Sequence, residues 1–228
     1  MRTNRRCLLC GSNDTKFEFK SINKHGRHVI DSSDTFDMYS CNICHSLFLN
    51  SLTINDDYFK KYYNTGYYDS VAGLQKGFIN TLVEKLETWS LSQKQKLIVS
   101  NVKRTKKKIT ILDIGCGDGK FLAHLDDKKF ERFGIEINPE GIKKAEDRGL
   151  TIYNNDILRI DFGNQRFDVI ALWQVIEHLE DPIAVFKKIN TILSPDGIVI
   201  LSTPNMLSIG SQFGKHDWFH LDSPRHFI

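Results

Sequence analysis

Three observations predict an α/β fold carrying a small cysteine-bearing attachment. Two Cys-x-x-Cys pairs, Cys7 with Cys10 and Cys41 with Cys44, stand in the first 50 residues. An apolar run, Ile109 to Ile114, leads directly into the glycine-rich turn Gly115-Cys116-Gly117-Asp118-Gly119. From there onward, buried-strand patterns alternate with helical ones, as in a parallel sheet wound with helices. The chain accordingly divides into an attachment at 1–50, a bridge at 51–108 and the sheet domain at 109–228.

Composition fits this division. The 228 residues are 40% hydrophobic, 26% charged and 11% aromatic, with 15 Gly and 5 Pro, which excludes disordered, collagen-like and coiled-coil chains. The longest apolar runs fall far short of the ~20 residues of a membrane span. Arg2, Arg5 and Arg6 have no apolar run behind them, so a signal peptide is not expected, and the expected location is cytoplasmic. The net charge of +3 is unevenly spread: residues 1–108 carry 18 Lys and Arg against 10 Asp and Glu, and residues 109–228 carry 13 against 18. The basic clusters are Arg2–Arg6 and Lys103–Lys108, the second of which reads as a solvated loop.

In the attachment, each Cys-x-x-Cys places two thiolates on one tight turn, and two such turns make a tetrahedral Zn²⁺ site. The predicted ligands are Cys7, Cys10, Cys41 and Cys44, giving a small zinc ribbon. The alternation Lys16-Phe17-Glu18-Phe19-Lys20 predicts a ribbon strand between the knuckles. His45 follows Cys44 directly, but four thiolates make it redundant; His25 and His28 are expected at the surface. Between the knuckles, four basic residues face five acidic ones, whereas a phosphate-binding finger would be basic.

The bridge crowds Tyr58, Phe59, Tyr62, Tyr63, Tyr67 and Tyr68 around Gly66, which predicts aromatic packing. Phe78, Leu82, Leu86 and Trp89 recur at helical spacing, and Leu91 to Val102 reads as a second helix.

In the third segment, strand Ile109–Ile114, the glycine turn and a helix from Lys120 form the unit that lets backbone approach a ligand at the carboxyl end of a parallel strand. The next strand, Arg132 to Glu136, ends in an acid 21 residues after Gly115, placed to accept ribose hydroxyls. The glycines run G-x-G-x-G, and the third glycine of a dinucleotide fingerprint would fall on Lys120. Asp113 and Asp118 flank the turn, and their charge opposes a pyrophosphate. It suits an ammonium and a sulfonium, the groups of S-adenosylmethionine.

Ile111 to Gly119 resembles the first motif of the class I S-adenosylmethionine-dependent methyltransferases, and the resemblance spans about 109–228. Glu136 matches the family's ribose-binding acid. Asn155-Asp156-Ile157 matches the segment holding the adenine, Phe167 to Leu172 the fourth strand, and Leu193 to Gly197 the turn before a fifth strand at Ile198 to Ser202. The resemblance implies a Rossmann-like sheet and a cofactor site drawn from Asp113, Gly115, Cys116, Gly117, Gly119, Glu136, Ile137, Asp156, Ile157 and Trp173. The family's sheet ends in a helix and a closing hairpin, which Thr203 to Ile228 does not read as; the expectation is a sheet without its last two strands, either because the chain is truncated or with its edge covered by a partner or a second copy.

A zinc ribbon before this core resembles methyltransferases of sugar and polysaccharide biosynthesis. This implies a small, sugar-containing acceptor rather than nucleic acid or membrane. Those enzymes carry a late His motif, often Glu-His; here Trp218 to Phe227 contains Arg225-His226. His226 is the first candidate base and His178, beyond the fourth strand, the second. His220 and Asp222 are candidates to hold substrate. Two other functions compete: an RNA methyltransferase, for which the basic clusters speak, and a non-catalytic cofactor-binding or partner subunit.

Overall fold

The computed structural model describes residues 5–22, 34–49, 56–62, 78–103, 108–214 and 218–228. Arg2, Arg104, Lys106, Lys107, His25, His28, Tyr63, Tyr67 and Tyr68 lie outside the described residues, as does the side chain of Phe59. The chain forms two compact units: Met1–Gln75 with Glu177–Asp181 and Pro204–Ile228, and Lys76–Ile176 with Pro182–Thr203. Residues 177–181 and 204–228, assigned by sequence to the sheet domain, thus belong to the first unit.

The first unit is built on a three-stranded antiparallel sheet, β1 (Thr15–Ile22), β2 (Thr35–Cys41) and β3 (Leu47–Leu49), in that order. The alternation around Phe17 and Phe19 does form β1, with a register shift between these two residues where it pairs with β2. Helix α1 (Asp56–Tyr62) sends Tyr58 and Tyr62 into a cluster with Phe36, Met38, Leu49, Trp218, Leu221 and Phe227. The C-terminal segment is also tied to the ribbon by polar contacts. Leu49 N–H donates to the Phe227 carbonyl at 2.9 Å, Ser21 Oγ to Ser223 Oγ at 2.6 Å, and Tyr58 Oη to the Pro224 carbonyl at 3.1 Å. The Ser223–Pro224 peptide is cis.

The second unit opens with helix α2 (Phe78–Asn101) and continues through β4 (Ile109–Ile114), α3 (Lys120–His124), β5 (Phe130–Ile135), α4 (Pro139–Asp147), β6 (Thr151–Tyr153), β7 (Phe167–Trp173), α5 (Pro182–Ile192) and β8 (Leu193–Ser202). Its five strands are all parallel, in the order β6-β5-β4-β7-β8. This is the Rossmann-like arrangement expected from the sequence. Among the described residues β8 is an edge strand. The core gathers Ile98, Ile111, Phe121, Leu122, Phe130 and Val169 between sheet and helices. In the first unit, helix α6 (Ile209–Gly214) precedes the C-terminal segment.

Two sequence expectations need correcting. The stretch from Phe78 to Asn101 forms one 24-residue helix, α2, rather than two. Nothing between Trp89 and Leu91 breaks a helix, and Ser92 Oγ bonds back to the Thr88 carbonyl at 2.9 Å, satisfying its hydroxyl within the helix. The turn expected at Leu193 to Gly197 is absorbed into β8: Leu193 already pairs with Phe167, and a register shift precedes the pairing of Val169 with Ile198. Among the described residues, no helix is long and apolar enough to cross a membrane.

Candidate functional site

Strand order brings the carboxyl ends of β5, β4 and β7 side by side, with β4 at the centre. The winding of the sheet changes direction there, and such a point opens a crevice for ligands. Gly115 follows β4 at φ 69°, and a Cβ there would lie 2.7 Å from Val175 Cγ2. Its N–H donates to the Ile135 carbonyl at 2.8 Å, which fastens the turn to β5. Gly117, at φ 56°, is different: a Cβ there would meet nothing within 4 Å among the described residues. Open space lies beside it, and its N–H donates to Glu136 Oε2 at 2.8 Å.

Glu136 is buried at the end of β5. Its Oε1 accepts the N–H groups of Ile137 and Asn138, both at 2.8 Å. With the bond from Gly117, three of the roughly four lone-pair directions of the carboxylate are taken by backbone. One more hydroxyl can be accepted as the carboxylate stands, and a second only by displacing a backbone donor. Asn138 caps α4 by accepting from the N–H groups of Glu140 and Gly141, with Pro139 in the first turn. Ile137, the next residue from the acid, is 59% exposed and presents an apolar surface.

Asp113 lies buried at the end of β4, and its Oδ1 has no hydrogen-bond partner among the described residues. Burial pushes its carboxyl up to about 8; the charge of Lys94 opposes that rise and the charge of Glu136 adds to it. Trp173, closing β7, also buries a group with no hydrogen-bond partner among the described residues, its indole N–H. Lys94 of α2 stands 4.5 Å from the centre of that indole and 5.6 Å from the Phe121 ring. Desolvation lowers its ammonium pKa, with Asp113 pulling the other way. Lys94 carries no signal at the level of sequence: on the helix it is one lysine among several. Buried donors and acceptors left unpaired beside open space are the mark of a place shaped for a polar ligand.

The remaining predicted positions fall around the same crevice edge or support it. Asp156 follows β6 and accepts the Leu158 N–H at 2.7 Å, capping a short turn of 3₁₀ helix that buries Ile157. Gly119 lies against Leu150 and Ala145. Cys116 packs against Gly134, where a Cβ would come within 2.5 Å of its sulfur. Burial raises the Cys116 thiol to about 12, aided by the charges of Asp113 and Glu136, which makes it a packing residue and a poor nucleophile.

The first unit holds two further clusters. Cys7, Cys10, Cys41 and Cys44 converge, with Cys7 Sγ 3.6 Å from Cys44 Sγ and Cys10 Sγ 3.5 Å from Cys41 Sγ. These are not disulfides. A tetrahedral ion ~2.3 Å from each thiolate needs sulfurs roughly 3.8 Å apart, so the four thiols stand close to a zinc geometry. Burial raises the Cys7 thiol, but hydrogen bonds from Ser46 and the backbone of Cys10 and Leu9 outweigh it and bring it to about 6.

The second cluster joins the two predicted histidines. His178 and His226 stack edge to face with ring centres 4.5 Å apart, and Glu177, almost wholly buried, completes the group. Burial lowers both imidazoles. His226 falls to about 4, because the neighbouring His178 adds to the effect of burial. Arg225 is buried and paired with Asp222; its Nε lies 3.2 Å from Asp222 Oδ1. Asp222 is therefore engaged in holding the segment. His220 is exposed, and its carbonyl accepts from His226 Nδ1.

Comparison with known proteins gives this arrangement a family. Ubiquinone biosynthesis O-methyltransferase of Cereibacter sphaeroides is 32% identical over 136 residues, covering 51% of this chain and 55% of the relative. The enzyme of the same name from Actinobacillus pleuropneumoniae is 32% identical over 106 residues, covering 42% and 45%. The chain thus spans about half the length of the curated relatives it matches. Among solved structures, plantazolicin methyltransferase BpumL in complex with SAH superposes with a TM-score of 0.54 at 19% identity, over 71% of this chain and 64% of that one. That likeness establishes the fold. A profile described as a methyltransferase domain matches residues 89–227, more than half of the sequence, and the chain therefore belongs to the methyltransferase-domain family.

Proposed function

We propose that the protein is an S-adenosylmethionine-dependent methyltransferase acting on a small molecule. The observation that carries this reading is the crevice at the end of β4. There the buried, unpartnered Asp113 oxygen, the open space at Gly117 and the remaining acceptor site of Glu136 lie on adjacent strand ends. S-adenosylmethionine supplies, when bound, a methyl group made electrophilic by its sulfonium. In this reading Glu136 takes a ribose hydroxyl, and Ile137 and Ile157 offer apolar surface for the adenine. Asp156 receives the adenine amino group, and Asp113 faces the cationic methionyl end. Gly115, Gly117 and Gly119 keep the turn thin enough for backbone to approach, with Cys116 and Trp173 as its packed walls.

On the acceptor side, His226 is the first and His178 the second candidate to take the proton that the acceptor loses. The relatives named above are O-methyltransferases, which supports a hydroxyl as the acceptor group. The zinc ribbon joined to this core supports the narrower reading of a sugar-containing molecule. Cys7, Cys10, Cys41 and Cys44 would hold a structural Zn²⁺. Ion pairing within the ribbon, Lys16 with Glu18 at 3.0 Å and Lys20 with Asp37 at 3.1 Å, uses cations that an RNA-binding face would leave for phosphate.

Calorimetry of the zinc-loaded chain with S-adenosylhomocysteine tests the reading. One site per chain is expected, abolished in Gly117→Arg, whose side chain must fill the open space beside Glu136. A folded wild-type chain that takes up no S-adenosylhomocysteine would overturn it.

A further inference from the structure

The geometry points to a second metal site, a divalent transition-metal ion held by Glu177, His178 and His226. One nitrogen from each imidazole and one Glu177 oxygen lie within 4.8 Å of one another. Closing to the spacing of ligands on a common ion takes only small side-chain movements, since metal–nitrogen and metal–oxygen bonds are ~2.0–2.2 Å long.

The surroundings of the two rings argue for ligands rather than for chance neighbours. His178 Nδ1 lies 3.0 Å from the Arg225 carbonyl and His226 Nδ1 lies 2.8 Å from the His220 carbonyl. A carbonyl oxygen only accepts, so each Nδ1 carries the proton and each ring has its lone pair at Nε2, that of His226 lying 4.0 Å from Asp222 Oδ2. Histidines that bind metals show this arrangement: the far nitrogen donates to a carbonyl or carboxylate, which fixes both tautomer and ring orientation. The supporting carbonyls are themselves held. Arg225 is anchored by its buried pair with Asp222, and Phe227 N–H donates to the Glu177 carbonyl at 2.7 Å, fastening the two ligand segments together.

The donor set selects the ion. Two imidazoles and one carboxylate suit Zn²⁺ and its first-row neighbours, and leave coordination positions open for water or a substrate oxygen. A carboxylate with no thiolate beside it distinguishes this site from the cysteine cluster of the same unit. Metal-loaded and metal-free chains then differ in what the rings do: they are ligands in one and proton acceptors in the other.

Cobalt titration of the full chain, with its cysteine site already filled by zinc, tests this. We expect one Co²⁺ per chain, with d–d bands of a nitrogen and oxygen site and no thiolate charge-transfer absorption. Glu177→Gln and His226→Gln should each weaken uptake at least ~10-fold. His124→Gln, in the other unit, should leave it unchanged. Absence of a second equivalent in the wild type, thiolate absorption in that equivalent, or equal uptake by both folded ligand variants would overturn the inference. Should a variant fail to fold, wild-type stoichiometry and spectrum still decide. S-adenosylhomocysteine binding, measured on the same samples, is a separate readout, so loss of the cofactor reading would leave this one standing.

Discussion

Asp113 keeps a proton in the folded chain that it loses in the unfolded one. Its ordinary carboxyl value is near ~3.9, and burial raises it to about 8 against the opposing charge of Lys94. Between those values the native state binds more protons than the unfolded state, so stability falls as pH rises, at up to ~1.4 kcal/mol per unit. Above about 8 both states are ionised and the loss stops growing. Asp113→Asn should therefore gain stability over wild type steadily from pH 5 to pH 8 when no ligand is present, as read by urea midpoints at each pH. A difference between the two that did not change with pH would show that Asp113 is ionised in the native chain. The same variant should lose S-adenosylhomocysteine affinity at least ~10-fold if Asp113 faces the cation. A stable, weakly binding variant is the pattern expected where a residue is kept for its ligand at a cost to the fold.

At the scale of the element, the strands and the glycine turn were legible because their signals are local. Ile109 to Ile114 is apolar except at Thr110 and Asp113, as suits a strand buried on both faces, and the acid after β5 falls where a β–α–β unit requires it. Helix α2 was legible only in part. Its period predicted an apolar stripe at Leu82, Leu86 and Trp89, yet these remain exposed, Trp89 at 63%, whereas Ile98 in the last turns is fully buried among Ile111 and Phe121. Periodicity reports that a helix has an apolar face, but not which turns of it meet the sheet. The two halves should thus respond differently to substitution. Ile98→Ala is expected to cost about 2–5 kcal/mol by opening a cavity, and Trp89→Ser less than about 0.5 kcal/mol, both from denaturant midpoints. Comparable losses at the two positions would mean that the amino-terminal half of α2 is covered in solution.

Across the whole molecule, chain order and spatial order part company. That the four cysteines come together was legible from their spacing, and His226 was singled out by the resemblance of its segment to a late His motif. That residues 204–228 join the ribbon was not legible, because it rests on long-range packing without any period: Trp218, Leu221 and Phe227 meet Phe36, Met38 and Leu49. This junction couples the cysteine cluster to the histidines. Cys41 ends β2, Leu49 of β3 donates to the Phe227 carbonyl, and His226 is the preceding residue. A structural zinc that holds the two knuckles would in consequence also hold the segment carrying His226. Removing that zinc with a chelator should raise hydrogen exchange in β2, β3 and 218–228 together, while amides of β4, β5 and β7 in the other unit keep their protection. Loosening of β2 and β3 with 218–228 still protected would show that the C-terminal segment is held by its own contacts, and that the ribbon metal has no hold on the histidine pair.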